Sequence, residues 1–477
     1  MEIQTKTRLK TITKKHLADT FTPVSIYLKV RDQYTESVLL ESTDFRSVEN
    51  CFSFIGIEPI ARFVAQGNDV IETYTDGTKR VQKLPNSAVL QEFKNFISQF
   101  EVEKNAPLPN SSASATVING FFGHTSYDAV QYFDTMVLDK TKRTTDLPDL
   151  HYALYRFVIA INHFKDELTI IENLADGMTS EMERLETILH SQTVPTFDFI
   201  LRGEEKTNMS DEDFKKLVTI GKHHCQIGDV FQIVLARNFA QEFTGDEFQV
   251  YRALRSINPS PYLFYFDYGT YKIFGSSPEQ QLVVKNRIAG VNPIAGTYKR
   301  TGDDETDARS ARALAADPKE NAEHIMLVDL ARNDLGKHCK SVKIKELRDI
   351  QFFSHVIHIV SKVEGELLDN VNPIDVFADT FPAGTLSGAP KYKAIELIDQ
   401  YEKTNRHFYG GGIGFIGFNG DLTHAIIIRS FLSKDNVLYR QAGAGIVVSS
   451  VEENELQEVN NKLNALKVAL VAAEKIS

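Results

Sequence analysis

The chain has 477 residues, 42% of them hydrophobic, and a formal net charge of −11, enough apolar material for one large domain or two and, with no basic stripe carrying interleaved aromatics, no candidate nucleic-acid surface. Its three cysteines, Cys51, Cys225 and Cys339, are odd in number and lack metal-ligand spacing, so a reduced, cytoplasmic protein without disulfides is expected. The segment MEIQTKTRLKTITKKH is basic but lacks the apolar core of a secretory signal, and no window reaches the length of a membrane span.

Taken in chain order, Val24, Ile26, Leu28 and Val30 alternate as in a strand, and Leu90, Phe93, Phe96, Ile97 and Phe100 keep the spacing of an amphipathic helix. PLPNSSASA, at 107–115, reads as a surface loop. Over 192–208 periodicity fades and charge accumulates, and Ser210 with Asp213 then opens a capped helix ending at Gly228. A domain boundary is placed there, giving an N-terminal domain at 1–200 and a second at 205–477. Beyond it, Gly-rich turns (FGSSPEQ, PIAGTYK, PAGTLSGAPK, YGGGIGFIG, QAGAGIVV) separate short strands, and helices are expected near 318–334, 389–402 and 453–474. Mixed rather than alternating strand and helix runs predict an α+β fold, a large β-sheet sandwich flanked by helices.

Two carboxylate pairs fall on these helical stretches: Glu320 with Glu323 in KENAEHIMLVDLARND, and Glu455 with Glu458 in SSVEENELQEVNNK. Residues three apart share a helix face. Brought together, the four make an oxygen-only cage suited to a hard cation such as Mg2+; taken singly, each pair reads as a solvated acidic edge. Gly443, Ala444 and Gly445 follow a strand without side-chain bulk, so their amides can approach a carboxylate. Arg429, among isoleucines in AIIIRS, wants a bidentate carboxylate or a structural salt bridge. Glu279, beside Pro278 where a strand begins, is either a partly buried general acid or an exposed turn carboxylate. His358 alternates with apolar neighbours, as a hydrogen-bonded core histidine does.

In their order, EHIMLVDLARNDLG (323–336), GTLSGAPK (384–391), YGGGIGFIG (409–417), QAGAGIVV (441–448) and the terminal ExxE resemble the chorismate-utilising enzymes, above all the anthranilate synthase large subunits, over nearly the whole chain. The resemblance implies that Glu323 and Glu458 bind Mg2+, with Glu320 and Glu455 behind them through waters, and that the metal holds the ring carboxylate of chorismate. It implies Thr385 and His358 at the ring, and Tyr409, Arg429 and the backbone of Gly443, Ala444 and Gly445 at the enolpyruvyl carboxylate. Glu279 is implied at the departing C4 hydroxyl, with Gln232, Gly296, Thr297 and Lys462 also lining the substrate. Val459 and Leu463 depart from the Thr and Ala that the family commonly carries there.

Members that add water to chorismate use a lysine base where this chain has Gln232 in DVFQIV, and a neutral amide cannot deprotonate water. The 4-amino-4-deoxychorismate enzymes carry a nucleophilic lysine where Ala295 stands in PIAGT. Both filters leave anthranilate as the product, and the mechanism that the resemblance implies is attack of ammonia at C2 with loss of the C4 hydroxyl, then proton removal leaning on His358 and elimination of pyruvate. No Cys-His glutaminase arrangement is present, Cys225 lying in a helix beside His223 and His224, so a glutamine amidotransferase partner is expected to supply the ammonia. Leu39-Leu40-Glu41-Ser42 and residues 258–264 resemble the two segments of a tryptophan feedback pocket. There Glu41 would take the ligand's ammonium and Ser42 a hydrogen bond, while Pro261, Leu263 and Phe264 wall the indole; plain core packing is the alternative for the apolar segment. The complete absence of tryptophan from the chain fits an enzyme of tryptophan supply. Competing readings are another chorismate-utilising enzyme (an isochorismate, salicylate, aminodeoxyisochorismate or aminodeoxychorismate synthase) and a non-catalytic tryptophan-sensing homologue, the latter opposed by four intact acids.

Overall fold

The computed structural model of the protein describes residues 6–42, 51–103, 119–353 and 356–476; the loop expected at 107–115 lies outside them. Two antiparallel sheets share a pair of long strands, Phe52–Gln66 and Leu150–Asn162. Residues 53–57 of the first pair with Ser37–Ser42, whereas residues 62–66 pair with Asp69–Thr73. In the second, residues 157–162 pair with Glu167–Leu174 and residues 150–154 with Gly120–Thr125. Each long strand therefore serves one sheet over half its length and the other over the rest. The change comes where the register shifts between Pro59 and Ala61, just after Glu58 at φ 59°. Proline donates nothing to a ladder and is tolerated at such a bulge.

From Ser37–Ser42 the first sheet runs through Tyr262–Asp267, Lys272–Ser277, Ser430–Lys434, Val437–Ile446, Gln232–Gly245 and Phe199–Thr207. From Gly120–Thr125 the second runs through Gly412–Gly417, Leu422–Ile426, Gln280–Lys285, Ile288–Val291 and Val356–Leu367, the last also pairing with Ile294–Lys299 and Cys339–Phe352. Phe54 and Phe264 of one sheet meet Phe122 and Phe415 of the other in the core between them. The outer face of the first sheet packs against Pro23–Val30, Asp211–Gln226, Phe248–Ile257 and Glu452–Ala473, and that of the second against Asn86–Ser98, Pro318–Gly336 and Pro373–Thr380. This is the expected α+β sandwich, with helices outside both sheets. Among the described residues, backbone ladders cross the boundary expected near 200, as at Ser37–Ser42 with Tyr262–Asp267 and at Gly120–Thr125 with Gly412–Gly417.

The strand expected at Val24 to Val30 is instead the helix Pro23–Val30. Thr22 accepts the Ser25 amide at 3.1 Å and Pro23 sits in the first turn, a start signal that outweighs the alternation. Phe100 leaves its helix after Ser98 and begins the strand Phe100–Val102. Four of the five Gly-rich segments lie largely in strands rather than turns, at Lys272–Ser277, Ile294–Lys299, Gly412–Gly417 and Val437–Ile446, because non-local ladders override the local turn preference. The helix at Asp211–Gln226 is capped by Ser210 as expected. None of the three cysteines is in a disulfide, and all three are buried. Among the described residues no helix is long and apolar enough to cross a membrane.

Beside the sheet-switching bulge, buried Arg156 pairs with Glu172 at 3.0 Å, Glu58 at 3.1 Å and Glu181 at 3.3 Å. Glu172 is wholly enclosed. Breaking such a pair strands a buried charge, so Arg156→Met is expected to cost about 3 kcal/mol, read as a lowered urea midpoint; an unchanged midpoint would show that the cluster does not hold the bulge.

Candidate active site

Helix Pro318–Gly336 starts on the Asp317 side chain, which accepts the Lys319 and Glu320 amides, and it carries Glu320 and Glu323 one turn apart. Helix Glu452–Ala473 buries Leu456, Val459, Leu463 and Leu466 and carries the row Glu455, Glu458 and Lys462. The two acid pairs feel one another. Burial and then repulsion from Glu323, with a smaller push from Glu458, hold the Glu320 carboxyl above its usual range. Burial and then Glu458 do the same to Glu455, against a hydrogen bond from Ser450. Burial would also raise Glu458, but Lys462 at 2.7 Å and then Lys319 and Arg429 hold it below the ordinary range. Glu323 accepts Gln232 Nε2 at 2.7 Å. Among the described residues no three acidic, histidine or cysteine groups converge at metal-ligand spacing, the inner acids being held by Gln232 and Lys462 instead. The donor chemistry nonetheless fits Mg2+: every candidate ligand is a carboxylate oxygen, and their mutual repulsion is relieved by a cation.

Gln232 opens the strand Gln232–Gly245, in register so that Val234 faces Gly445. A Cβ on residue 445 would stand 2.5 Å from Gln232 Nε2, so glycine there makes room for the amide that reaches Glu323. Gly443, Ala444 and Gly445 lie inside a strand and not after one, a correction to the turn reading. The neighbouring strand Ser430–Lys434 covers only residues 437–439. Beyond that point alternate amides of this edge have no ladder partner among the described strands, and Lys462 donates to Gly443 O at 2.8 Å.

Glu279 lies between two strands with part of its side chain facing a cavity that Thr385, Gly384, Thr380 and Leu327 also line. Burial pushes its carboxyl up to about 7, against a hydrogen bond from Thr385 and the fields of Lys462 and Arg429. Thr385 Oγ1 donates to Glu279 Oε1 at 2.7 Å. Arg429 stands at a break between strands at φ 51° rather than within one. Among the described residues it makes no salt bridge, and burial depresses its pKa against the fields of Tyr409, Glu458 and Glu279. A guanidinium left without its anion suits a carboxylate guest. Tyr409 is buried beside it.

His358 pairs in register with Thr297, whose side chain lies outside the described residues. Its Nδ1 is 2.8 Å from Gly296 O. A carbonyl only accepts, so Nδ1 carries the proton and Nε2 keeps the lone pair. Burial lowers this imidazole's pKa, as do Arg429 and Lys462, so it is neutral near pH 7. Gly296, at φ 67°, leaves room that a Cβ would share with Leu314 and Glu320. Arg429 and Lys462 thus act on both Glu279 and His358, which places the two residues in one electrostatic site. Sequence reasoning gave Lys391 and Asp334 no role although both lie in the quoted strings; Lys391 Nζ donates to Asp334 Oδ2 at 2.8 Å, fastening GTLSGAPK to helix Pro318–Gly336.

The feedback segments are laddered together, Ser42 opposite Tyr262 and Glu41 opposite Leu263. Adjacent strand residues face opposite sides. Leu263 is enclosed on the helix side and Phe264 between the sheets, so one indole does not meet both side chains, and this part of the expected pocket is corrected to core packing. Glu41 is committed to Arg255, through contacts of 2.9 to 3.1 Å, and to the Tyr251 hydroxyl at 2.6 Å. Pro261 remains partly exposed at the rim.

The raised carboxyl of Glu279 has a thermodynamic signature. An unfolded glutamate ionises near 4.5 while the folded one holds its proton to about 7, so the group erodes stability as pH rises through that window and gives none of it back above. Glu279→Gln is therefore expected to melt higher than the unsubstituted protein at pH 8 and level with it at pH 4. Calorimetry at both values decides, and an equal difference at both would place Glu279 in water.

A sequence profile described as chorismate binding enzyme matches residues 36–468. The chain is 37% identical to anthranilate synthase component 1 of Acetivibrio thermocellus, across 98% of this chain and 96% of that one, and 35% identical to the same-named protein of Aquifex aeolicus, across 96% and 94%. A crystal structure of anthranilate synthase component I from Streptococcus pneumoniae TIGR4 superposes with a TM-score of 0.76 at 30% identity, covering 94% of this chain and 98% of that one. The menaquinone-specific isochorismate synthase of Escherichia coli shares the fold, with a TM-score of 0.75 at 18% identity over 98% and 95% of the two chains. A profile match over most of the chain and relatives of more than 30% identity across nearly its whole length show that the chain belongs to the chorismate-binding enzymes.

Proposed function

We propose that this chain is the large subunit of an anthranilate synthase, converting chorismate and ammonia to anthranilate and pyruvate. The observation that carries the reading is the neutral amide of Gln232, bonded to Glu323 where water-adding members need a base, in the same site as the protonatable Glu279. Arg429 takes the enolpyruvyl carboxylate as a bidentate pair, helped by the open edge of the Gly443 to Gly445 strand. Glu279, protonated up to about pH 7, donates to the C4 oxygen, which leaves as water while ammonia bonds to C2. Ammonia brings its own lone pair, so Gln232 has no proton to remove. Neutral His358 then accepts the C2 proton on Nε2, and the electron pair released expels pyruvate as the ring becomes aromatic. Glu323 and Glu458, backed by Glu320 and Glu455, would hold Mg2+, which supplies positive charge to the ring carboxylate when bound.

The ammonia source is a glutamine amidotransferase subunit. Burial pushes the Cys225 and Cys339 thiols up to about 11, so neither is the thiolate a glutaminase needs. The deciding assay gives the isolated chain chorismate and Mg2+. Anthranilate is expected with ammonium salts and not with glutamine alone; no anthranilate with ammonium would overturn the reading.

Within that assay, Glu323→Gln and Glu458→Gln are expected to remain folded and to lose far more activity than Glu320→Gln or Glu455→Gln, for which roughly 10- to 100-fold is usual of groups behind the ligands. Similar mild losses in all four would remove the acids from the metal site. Gln232→Lys is expected to divert part of the chorismate to isochorismate, detected by chromatography of the products.

Tryptophan feedback is proposed for the rim where Ser42 meets Tyr262 and Pro261, a coupling of about 1–3 kcal/mol corresponding to roughly 5- to 150-fold in chorismate affinity. Ser42→Phe is expected to abolish inhibition by tryptophan and to leave uninhibited turnover unchanged. Titration of both proteins tests it, and an uninhibited parent protein removes the pocket.

A further inference from the structure

The substrate-facing residues come from four stretches of chain far apart in sequence: the strand opened by Gln232, the turn carrying Thr385, Tyr409, and the strand of Gly443 to Gly445. The side chains of one buried ion pair, Glu402 with Arg406, touch the first three, and the Arg406 backbone carbonyl touches the fourth. Arg406 is 2% exposed and Glu402 6%. Arg406 Nε donates to Glu402 Oε2 at 3.0 Å and Nη2 to Glu402 Oε1 at 2.6 Å. The same Nη2 donates to Val234 O at 2.6 Å, and Glu402 Oε1 accepts the Ala236 amide at 2.9 Å, so both ends of the pair grip the strand that begins at Gln232. Nη1 donates to the carbonyl of Leu386, the residue after Thr385. Arg406 O accepts the Tyr409 amide at 3.2 Å and Gln441 Nε2 at 2.8 Å, two residues before Gly443. The guanidinium is also flanked by the Tyr127 and Tyr409 rings, 4.7 and 5.8 Å from their centroids.

A buried ion pair is poor evidence for stability, since apolar side chains of the same volume commonly serve the fold as well. What an apolar pair lacks is the planar fork that meets several fixed acceptors at once. We propose that Arg406, with Glu402, is a positioning residue for the chorismate site, setting the Gln232 strand, the Thr385 turn and the Tyr409 segment relative to one another without touching the substrate. This rests on the site assigned above but not on which product leaves it.

Lysine at 406 keeps the charge opposite Glu402 but, as a single ammonium, does not reproduce the fork to Val234 O and Leu386 O. Arg406→Lys is therefore expected to stay folded and to bind chorismate at least tenfold more weakly, with kcat/KM for anthranilate down by about 100-fold, the scale of a small misplacement of reacting groups. Equilibrium chorismate binding is measured beside turnover. A role in stability alone removes active molecules, lowering apparent kcat and leaving the dissociation constant and KM of the remainder unchanged; that result, or a folded Arg406→Lys protein with unaltered affinity, overturns the proposal. If the lysine protein does not fold, the uncharged double variant Glu402→Gln/Arg406→Gln is read by the same criterion on whatever fraction binds. A parent protein that binds chorismate but makes no anthranilate counts against the proposed function, while weakened binding by the variant still supports the positioning role.

Discussion

The two long strands Phe52–Gln66 and Leu150–Asn162 belong to both sheets, and the candidate site depends on that sharing. Helix Pro318–Gly336 packs on the second sheet and helix Glu452–Ala473 on the first. The acids of the two helices come within electrostatic range of one another because the sheets they ride on are joined. The joint is secured by a buried Arg156 surrounded by three glutamates. Close-packed interiors transmit strain, so an error at the joint would reach the acid cluster through two rigid layers.

Charge within the site is left unbalanced by design of the surroundings. Glu320 and Glu455 are raised by burial and by their acidic neighbours, while Arg429 has its own pKa lowered by burial. A cation relieves the first and a carboxylate the second. Ligands carrying those complementary charges gain from a site that the protein alone does not satisfy. Apolar packing lies immediately behind the acids, where Val459 and Leu463 are wholly buried.

What could be read from sequence was whatever depends on near neighbours. The Ser210 cap and the helices bearing the acid pairs follow from spacing and local chemistry, and the structure agrees with them. Pro23–Val30 was misread because alternation outvoted the Thr22-Pro23 start. The glycine strands were misread because turn preference is written locally, whereas the partners of residues 412–417 and 437–446 lie tens to hundreds of residues away. Arg406 carried no signal at all, since its role runs through backbone carbonyls that any residue possesses. Leu263 and Phe264 show the reverse case: the period of two along a strand separates them without any structure.

The ladder at the feedback segments has a mechanical side. Tyr262 lies in register with Ser42 on one edge and with Ser277 on the other, so the three residues form consecutive rungs across three strands. Two residues past Ser277 stands Glu279, its amide held by the Ser277 hydroxyl at 3.3 Å, which ties the short arm between them to the end of the strand. A displacement at Ser42 would be conveyed sideways through two rungs and then along that short arm to the Glu279 carboxyl.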